Sequence, residues 1–279
     1  MSYQPVFLIG AARSGTKILR DTISTHPEIE KIGYDINFIW KRYNENIPHD
    51  ELGKDNVNSK FERFIKRYFN SKAKNKQYLI EKTVGNTLRI PFLLEVFPDA
   101  KFIILYRDGR DVVESVVRQW GQAPDNNYLF KKLFSVPFLH VLPFLFQYGI
   151  DTLKIKSGMA PRKKYVWGVR HKNWEKDLET DTLLEFCSKQ WNYCIQSIID
   201  NKNKIDEKNR IEIYYEKLVA NPSKEFNRIA EFLNLNVNDF NYSSIKDSNV
   251  GKSKSKLTEQ DYSKLNDMLK NNLEKTGYV

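Results

Sequence analysis

The sequence predicts an α/β fold of three layers, with a central parallel sheet flanked by helices. Three observations predict it. Short apolar runs of strand length alternate with helical stretches, the pattern of parallel strands covered on both faces. The first run, Val6 to Ile9, passes through a turn framed by Gly10 and Gly15 into a helix start at Thr16. With 279 residues, 41% of them hydrophobic and 13% aromatic, the chain can build a sizeable core. It shows no internal repeat and no flexible linker, so residues 1–279 are expected to form a single domain.

The elements follow in order. After the strand Val6 to Ile9, a helix runs to about Thr25 and stops at His26-Pro27, because proline disfavours helix in the residue before it. The polar stretch Arg42 to Lys60 reads as loop and Phe61 to Asn70 as an amphipathic helix. Tyr78 to Glu81 is the second strand, followed by a helix over Asn86 to Val96 that Phe97-Pro98-Asp99 ends. Lys101 to Tyr106 is the third and most apolar strand, with a helix over Asp108 to Trp120. Residues 121–180 read as an irregular, aromatic and basic insertion that shapes an acceptor site. Thr182 to Ile199 is helical, Ile211 to Tyr215 the fourth strand, and Pro222 to Leu233 a helix with proline in its first turn. A Lys/Ser-rich loop, Lys246 to Lys256, precedes a last helix from about Thr258.

Composition narrows the partners. A formal charge of +10 points to anionic ones. No compact basic motif accompanies a recognisable nucleic-acid-binding fold, so nucleic acid is not expected. Cys187 and Cys194, seven apart on one helix, suit core thiols better than a disulfide. Two cysteines, and an N-terminus running straight into the first strand, fit a cytoplasmic protein. The apolar stretch Leu129 to Ile150 carries Pro137, His140, Pro143, Lys131 and Lys132, and is not expected to span a membrane. Core or homodimer packing is its first reading, peripheral contact with a lipid or the inner membrane face its second.

The turn at Gly10 to Gly15 nearly matches a phosphate-binding loop, where backbone N–H groups and a helix N-terminus cradle an anion. The nucleotide-triphosphatase version places Lys and then Ser/Thr after its second glycine. Here the pair is Thr16-Lys17, in reverse order, and Arg13 puts a cation inside the loop. A phosphate-like group neutralised by side chains, without a metal, fits this P-loop-like turn. A second anchor follows the third strand, where Arg107 and Ser115 stand eight apart. Both can converge on an anion at the C-terminal edge of the sheet. The plainer reading pairs Arg107 with Asp108 or Asp111 and leaves Arg110 solvated.

These motifs resemble those of the sulfotransferase family. GAARSGTKIL is similar to its 5′-phosphosulfate loop, and FIILYRDGRDVVES to its 3′-phosphate motif. Glu81-Lys82-Thr83 with IPFLLEVFPDAKF resembles the segment before that strand, and Ile213 to Leu218 with Asn221-Pro222 and EFLNL a later strand and helix. The tyrosylprotein and bacterial branch is the nearest in kind. The resemblance covers about residues 4–40, 78–120 and 210–278 and leaves 121–209 unmatched.

The resemblance implies 3′-phosphoadenosine 5′-phosphosulfate (PAPS) as donor, the bisphosphate PAP as product, and a hydroxyl or amine acceptor. It implies that Arg13 stabilises the leaving phosphate and that Lys82 lies near the transferring sulfuryl group. The N–H groups of Ser14, Gly15, Thr16, Lys17 and Ile18, with the Thr16 hydroxyl, would hold the 5′-phosphate. Lys17 adds charge there or points to solvent. Arg107 and Ser115 would hold the 3′-phosphate, and Tyr215 would line the nucleotide site or serve the core. Ser248, Lys252 and Lys254 would close over the 3′-phosphate, unless they form a solvated lysine loop. Val84 follows Lys82-Thr83, where the phenol-sulfating branch has its histidine base. The resemblance to the tyrosylprotein branch, which uses a glutamate beyond a His-Pro turn and a glycine, implies Asp35, beyond His26-Pro27 and Gly33-Tyr34, as the candidate base, with helix capping as its alternative role and His171 as the reserve. A P-loop kinase using Mg²⁺-ATP and a non-catalytic nucleotide-binding protein are the competing functions. The residues Trp120, Tyr128, Tyr165, Trp167, Arg170, His171 and Trp174 would suit a sugar or an anionic glycan and the apolar Leu129 to Ile150 segment a lipid-linked acceptor, which favours a cell-surface glycan or glycolipid precursor.

Overall fold

A computed structural model of the chain describes residues 3–120, 166–246 and 250–279. Five strands, β1 (Gln4–Ile9), β2 (Ile29–Lys31), β3 (Tyr78–Glu81), β4 (Lys101–Tyr106) and β5 (Arg210–Tyr214), form one parallel sheet in the order β2-β3-β1-β4-β5. Central β1 registers Phe7 against Glu81 of β3 and Phe102 of β4.

Alternation along β1 sends its side chains to two different cores. On one face Val6 and Leu8 join Ile80, Ile103, Leu105 and Ile213. Leu19 and Ile23 of α1 (Thr16–Ile23) cover this face, with Phe226 and Ile229 of a later helix, Pro222–Leu233. On the other face the Phe7 ring lies 5.7 Å from Trp40, 6.1 Å from Phe69, 5.7 Å from Phe97 and 5.5 Å from Phe102. Trp40 ends α2 (Asn37–Trp40), and Phe69 lies on α3 (Ser59–Lys72), whose Asn58 cap accepts from the N–H of Phe61. The expected three layers are thus in place.

The remaining helices are α4 (Ile90–Val96), α5 (Gly109–Trp120), α6 (Trp174–Thr180), α7 (Leu183–Asn201), α8 (Tyr215–Ala220), α9 (Pro222–Leu233), α10 (Lys252–Lys256) and α11 (Glu259–Lys275). Four differences from the sequence reading have local causes. The three-residue edge strand β2 was not expected, because Ile29 is its one apolar residue. Within the stretch read as irregular, residues 174–180 form α6. The Lys246 to Lys256 loop includes the short helix α10. Tyr215 opens α8 instead of closing β5.

The chain divides into two compact units, Met1–Val117 with Gly168–Val279, and Arg118–Trp167. Tyr128, Leu129 to Ile150, Tyr165 and Ser248 lie outside the described residues. No helix among the described residues is long and apolar enough to cross a membrane. Cys187 and Cys194 are free and buried on α7, and burial pushes the Cys187 thiol up to about 12.

Candidate active site

The ends of the parallel strands bring the candidate residues to one edge of the sheet. After β1 the chain passes close to β4: a Cβ on Gly10 would stand 2.6 Å from the Leu105 carbonyl oxygen. Thr87 fixes this turn from the β3 side. Its hydroxyl donates to the Gly10 carbonyl at 3.0 Å and accepts the Gly10 N–H at 3.1 Å. Gly15 adopts φ +91°, and a Cβ there would meet the Tyr215 ring at 2.6 Å, so only glycine seats the loop against that ring. The first N–H to find a carbonyl within α1 is that of Leu19, bonded to Gly15 at 3.1 Å. The N–H groups of Thr16, Lys17 and Ile18 precede it, and no side chain caps the helix. Ser14 and Thr16 are buried, whereas Arg13 and Lys17 are exposed.

Arg13 has φ 62°, a left-handed conformation that costs a non-glycine residue of order 1–3 kcal/mol. Two residues expected at a second anchor hold it there. Arg107 donates to the Arg13 carbonyl at 2.8 Å, and Arg13 Nε donates to Ser115 Oγ at 3.0 Å. The Arg107 guanidinium also lies 4.4 Å from the Tyr215 ring centre. The two turns are therefore one linked cluster. Arg110 is not solvated: it makes a forked pair with Asp108, at 2.9 and 2.7 Å.

Asp111 does something the sequence reading missed. Buried on α5, it accepts the N–H of Gly251 at 2.6 Å and of Ser253 at 2.9 Å. This latch holds the start of α10 against α5, with Lys252 half-buried and Lys254 exposed. Asp111 stands four residues before Ser115 on α5, so the two share a helical face. That spacing was the available signal.

Asp35 and Lys82, from the segments after β2 and β3, come together. Lys82 Nζ lies 3.7 Å from Asp35 Oδ2, with the two side chains 13% and 25% exposed. Oδ2 also accepts the Val84 N–H at 3.1 Å, and Oδ1 accepts the Asn37 N–H at 3.3 Å, so Asp35 braces the start of α2 as well. Behind the pair lies a buried polar layer. Glu81 accepts from the Thr83 hydroxyl and from Asn86 Nδ2, each at 2.5 Å, and desolvation pushes its carboxyl up to about 7 against the lowering bond from Thr83. Buried Arg89 donates to Asn37 Oδ1 at 2.6 Å and sits 3.4 Å from Asp50, which also accepts from Asn37 at 2.8 Å.

His171 is not available as a reserve base. It is fully buried, stacked on Tyr193 at 4.2 Å and 3.6 Å from Asp177, and burial pushes its imidazole down to about 4. Arg170 and Trp174 engage one another: the Arg170 guanidinium lies 4.9 Å from the Trp174 ring centre, and the indole N–H donates to the Pro48 carbonyl at 3.1 Å.

The model of the sulfotransferase family matches residues 5–133 and 157–239. The chain belongs to the sulfotransferase family. Protein-tyrosine sulfotransferase A of Caenorhabditis elegans is similar at 22% identity over 242 residues, 82% of this chain and 50% of the relative. The chain thus spans about half the length of that curated relative. Among solved structures, the sulfotransferase domain from the curacin biosynthetic pathway superposes with a TM-score of 0.54 at 14% identity, covering 96% of this chain and 98% of that one. Mouse sulfotransferase SULT7A1 complexed with PAP superposes with a TM-score of 0.50 at 16% identity, covering 97% of this chain and 85% of that one. The shared fold places a sulfotransferase's central sheet under the loops described above.

Proposed function

We propose that this chain transfers the sulfuryl group of PAPS to an acceptor hydroxyl. One observation carries the reading: neighbouring parallel strands deliver Asp35, Lys82, the Arg13 to Ile18 loop, Arg107 and Tyr215 to the C-terminal edge of one sheet. The residues fit the donor. Three open N–H groups at the start of α1, in a loop where a Cβ on Gly15 would clash, suit the 5′-phosphate. Arg107 and Ser115 suit the 3′-phosphate, with Lys252 and Lys254 latched beside α5 through Asp111.

PAPS, when bound, supplies an activated sulfuryl group with a phosphate leaving group. Arg13 is assigned the charge that grows on that leaving phosphate, and Lys82 the charge on the sulfuryl oxygens. Asp35 accepts the acceptor's proton at a carboxylate oxygen, with Lys82 Nζ 3.7 Å from Oδ2.

For the acceptor, a glycan or glycolipid precursor at the cytoplasmic side was expected from the aromatic, basic centre and the apolar Leu129 to Ile150 segment. The curated relatives are named for protein tyrosine, and a phenolic hydroxyl presents the same chemistry to Asp35. One experiment tests donor and acceptor together. Thermal stabilisation is measured with PAP in excess chelator, with Mg²⁺-ATP and with neither, followed by transfer from labelled PAPS to tyrosine peptides, glycans and lipids. Stabilisation by PAP in chelator is expected. Stabilisation by Mg²⁺-ATP alone would make the chain a kinase, and by neither ligand a non-catalytic member of the fold.

A further inference from the structure

Glu81 is an unexpected residue where it stands. It closes β3 in register with Phe7, beside the aromatic core, and is fully buried. An ionised carboxylate taken from water costs several kcal/mol, and a valine there would fill the strand without that cost. Its two oxygens are both addressed by donors, the Thr83 hydroxyl and the Asn86 amide. The consequence lies one bond further out. A hydroxyl has one proton, so Thr83, by donating to Glu81, turns its lone pairs outward as an acceptor. The group that uses them is the N–H of Ile36, at 2.9 Å.

Ile36 follows Asp35, and Asp35 in turn accepts the N–H of Val84, the residue after Thr83. The segments 35–36 and 83–84 are therefore closed into a ring by two reciprocal bonds. Glu81 sets the direction of one, and Lys82 lies at the rim. We infer that Glu81 and Thr83 are positioning residues that fix the backbone from which Asp35 presents its carboxylate beside Lys82. The inference rests on reading Asp35 as the base. Asp35, Lys82, Arg89 and Tyr68 are the titratable groups whose charges interact with Glu81, and the Trp40 indole completes its surroundings. Removal of its negative charge changes the field at Asp35 as well as the bond to Thr83.

The full chain is compared with Thr83→Val, Thr83→Ser and Glu81→Gln, each checked for folding by its melting temperature. Amide exchange is followed in peptides covering residues 33–40 and 10–19, PAP affinity by calorimetry, and transfer from labelled PAPS to p-nitrophenol as a function of pH. Thr83→Val is expected to speed exchange in 33–40 about tenfold or more, leave 10–19 unchanged, and keep PAP affinity within about twofold. Its kcat should fall by about 10- to 100-fold, the effect of a base displaced by about 1 Å. Thr83→Ser should restore both, and Glu81→Gln should remove a limb near pH 7 from the rate profile. In an Asp35→Asn background, Thr83→Val should add no further loss.

Unchanged exchange in Thr83→Val, or equal loss at 10–19 together with PAP affinity, would overturn the positioning role; the exchange arm reads this without any acceptor. Persistence of the Thr83→Val deficit in the Asp35→Asn background would overturn it too. Parental turnover by Asp35→Asn would instead bring down the base reading, and the positioning claim with it, even where exchange shows the tether intact.

Discussion

Arg13, Arg107 and Ser115 hold one another in place, so a single side chain here has two duties. Arg107→Ala removes a cation assigned to the 3′-phosphate and also the donor that pins the Arg13 carbonyl. Affinity for PAP should fall by about tenfold to more than a hundredfold, the weight of a charge-assisted bond of about 1.5–3 kcal/mol. Affinity for adenosine 5′-phosphosulfate, which lacks the 3′-phosphate, should fall less. Equal losses in calorimetry would mean that Arg107 acts through the loop alone. Asp35→Asn keeps shape and removes the capacity to accept a proton. It should lower kcat by ~10²–10⁴ with PAP affinity nearly unchanged. Arg13→Ala should lower kcat and weaken PAP binding together, and calorimetry separates the two phenotypes.

At the scale of elements, the latch between α5 and α10 is the testable contact. Asp111→Ala leaves the N–H groups of Gly251 and Ser253 without their acceptor. The expected result is faster tryptic cleavage at Lys252 and Lys254 and a PAP affinity lowered by about tenfold, the size of one lost charged hydrogen bond. Unchanged cleavage and affinity would show that the loop is held by other contacts. The same element shows why some features were legible in the sequence and others were not. Gly10, Gly15, Lys82 and Arg107 announce themselves because strand ends and glycine turns are written locally. Asp111 acts on residues 140 and 142 positions away, and Thr87 on Gly10 across 77, separations that no window of sequence spans. The strands β1, β3 and β4 were visible as apolar runs. The edge strand β2, with the sequence IEK, was not, because pairing with β3 makes it a strand and not its own composition. His171 looked functional in a basic stretch, yet its stacking on Tyr193 is a packing fact invisible before folding.

At the scale of the whole molecule, two buried groups tilt stability with pH in opposite directions. His171 has its midpoint pushed down to about 4, against an ordinary 6.5. Between those values the unfolded chain binds a proton that the folded one does not. Its contribution is fully present above 6.5 and is lost as pH falls toward 4. Glu81, pushed up from 4.5 to about 7, binds its proton more tightly when folded, so its contribution declines as pH rises through that window. His171→Phe, which keeps the stack on Tyr193, should therefore gain melting temperature relative to the parent as pH drops from 6.5 to 4. A constant difference across that range would show that the imidazole does not titrate on unfolding. The sheet order has a consequence of another kind, in the timing of folding. β1 precedes the other four strands of its sheet in the chain, yet both of its partners arrive much later, at Tyr78 and Lys101. Parallel pairing across such separations is slow, because a long loop must close before any ladder bond forms. During synthesis the apolar run Val6 to Ile9 emerges with two unpaired edges, of which one waits for β3 and the other stays open until β4 has left the ribosome. A chain interrupted before Lys101 would carry that open ladder into the cell, where chaperones or a second nascent chain would be its first partners.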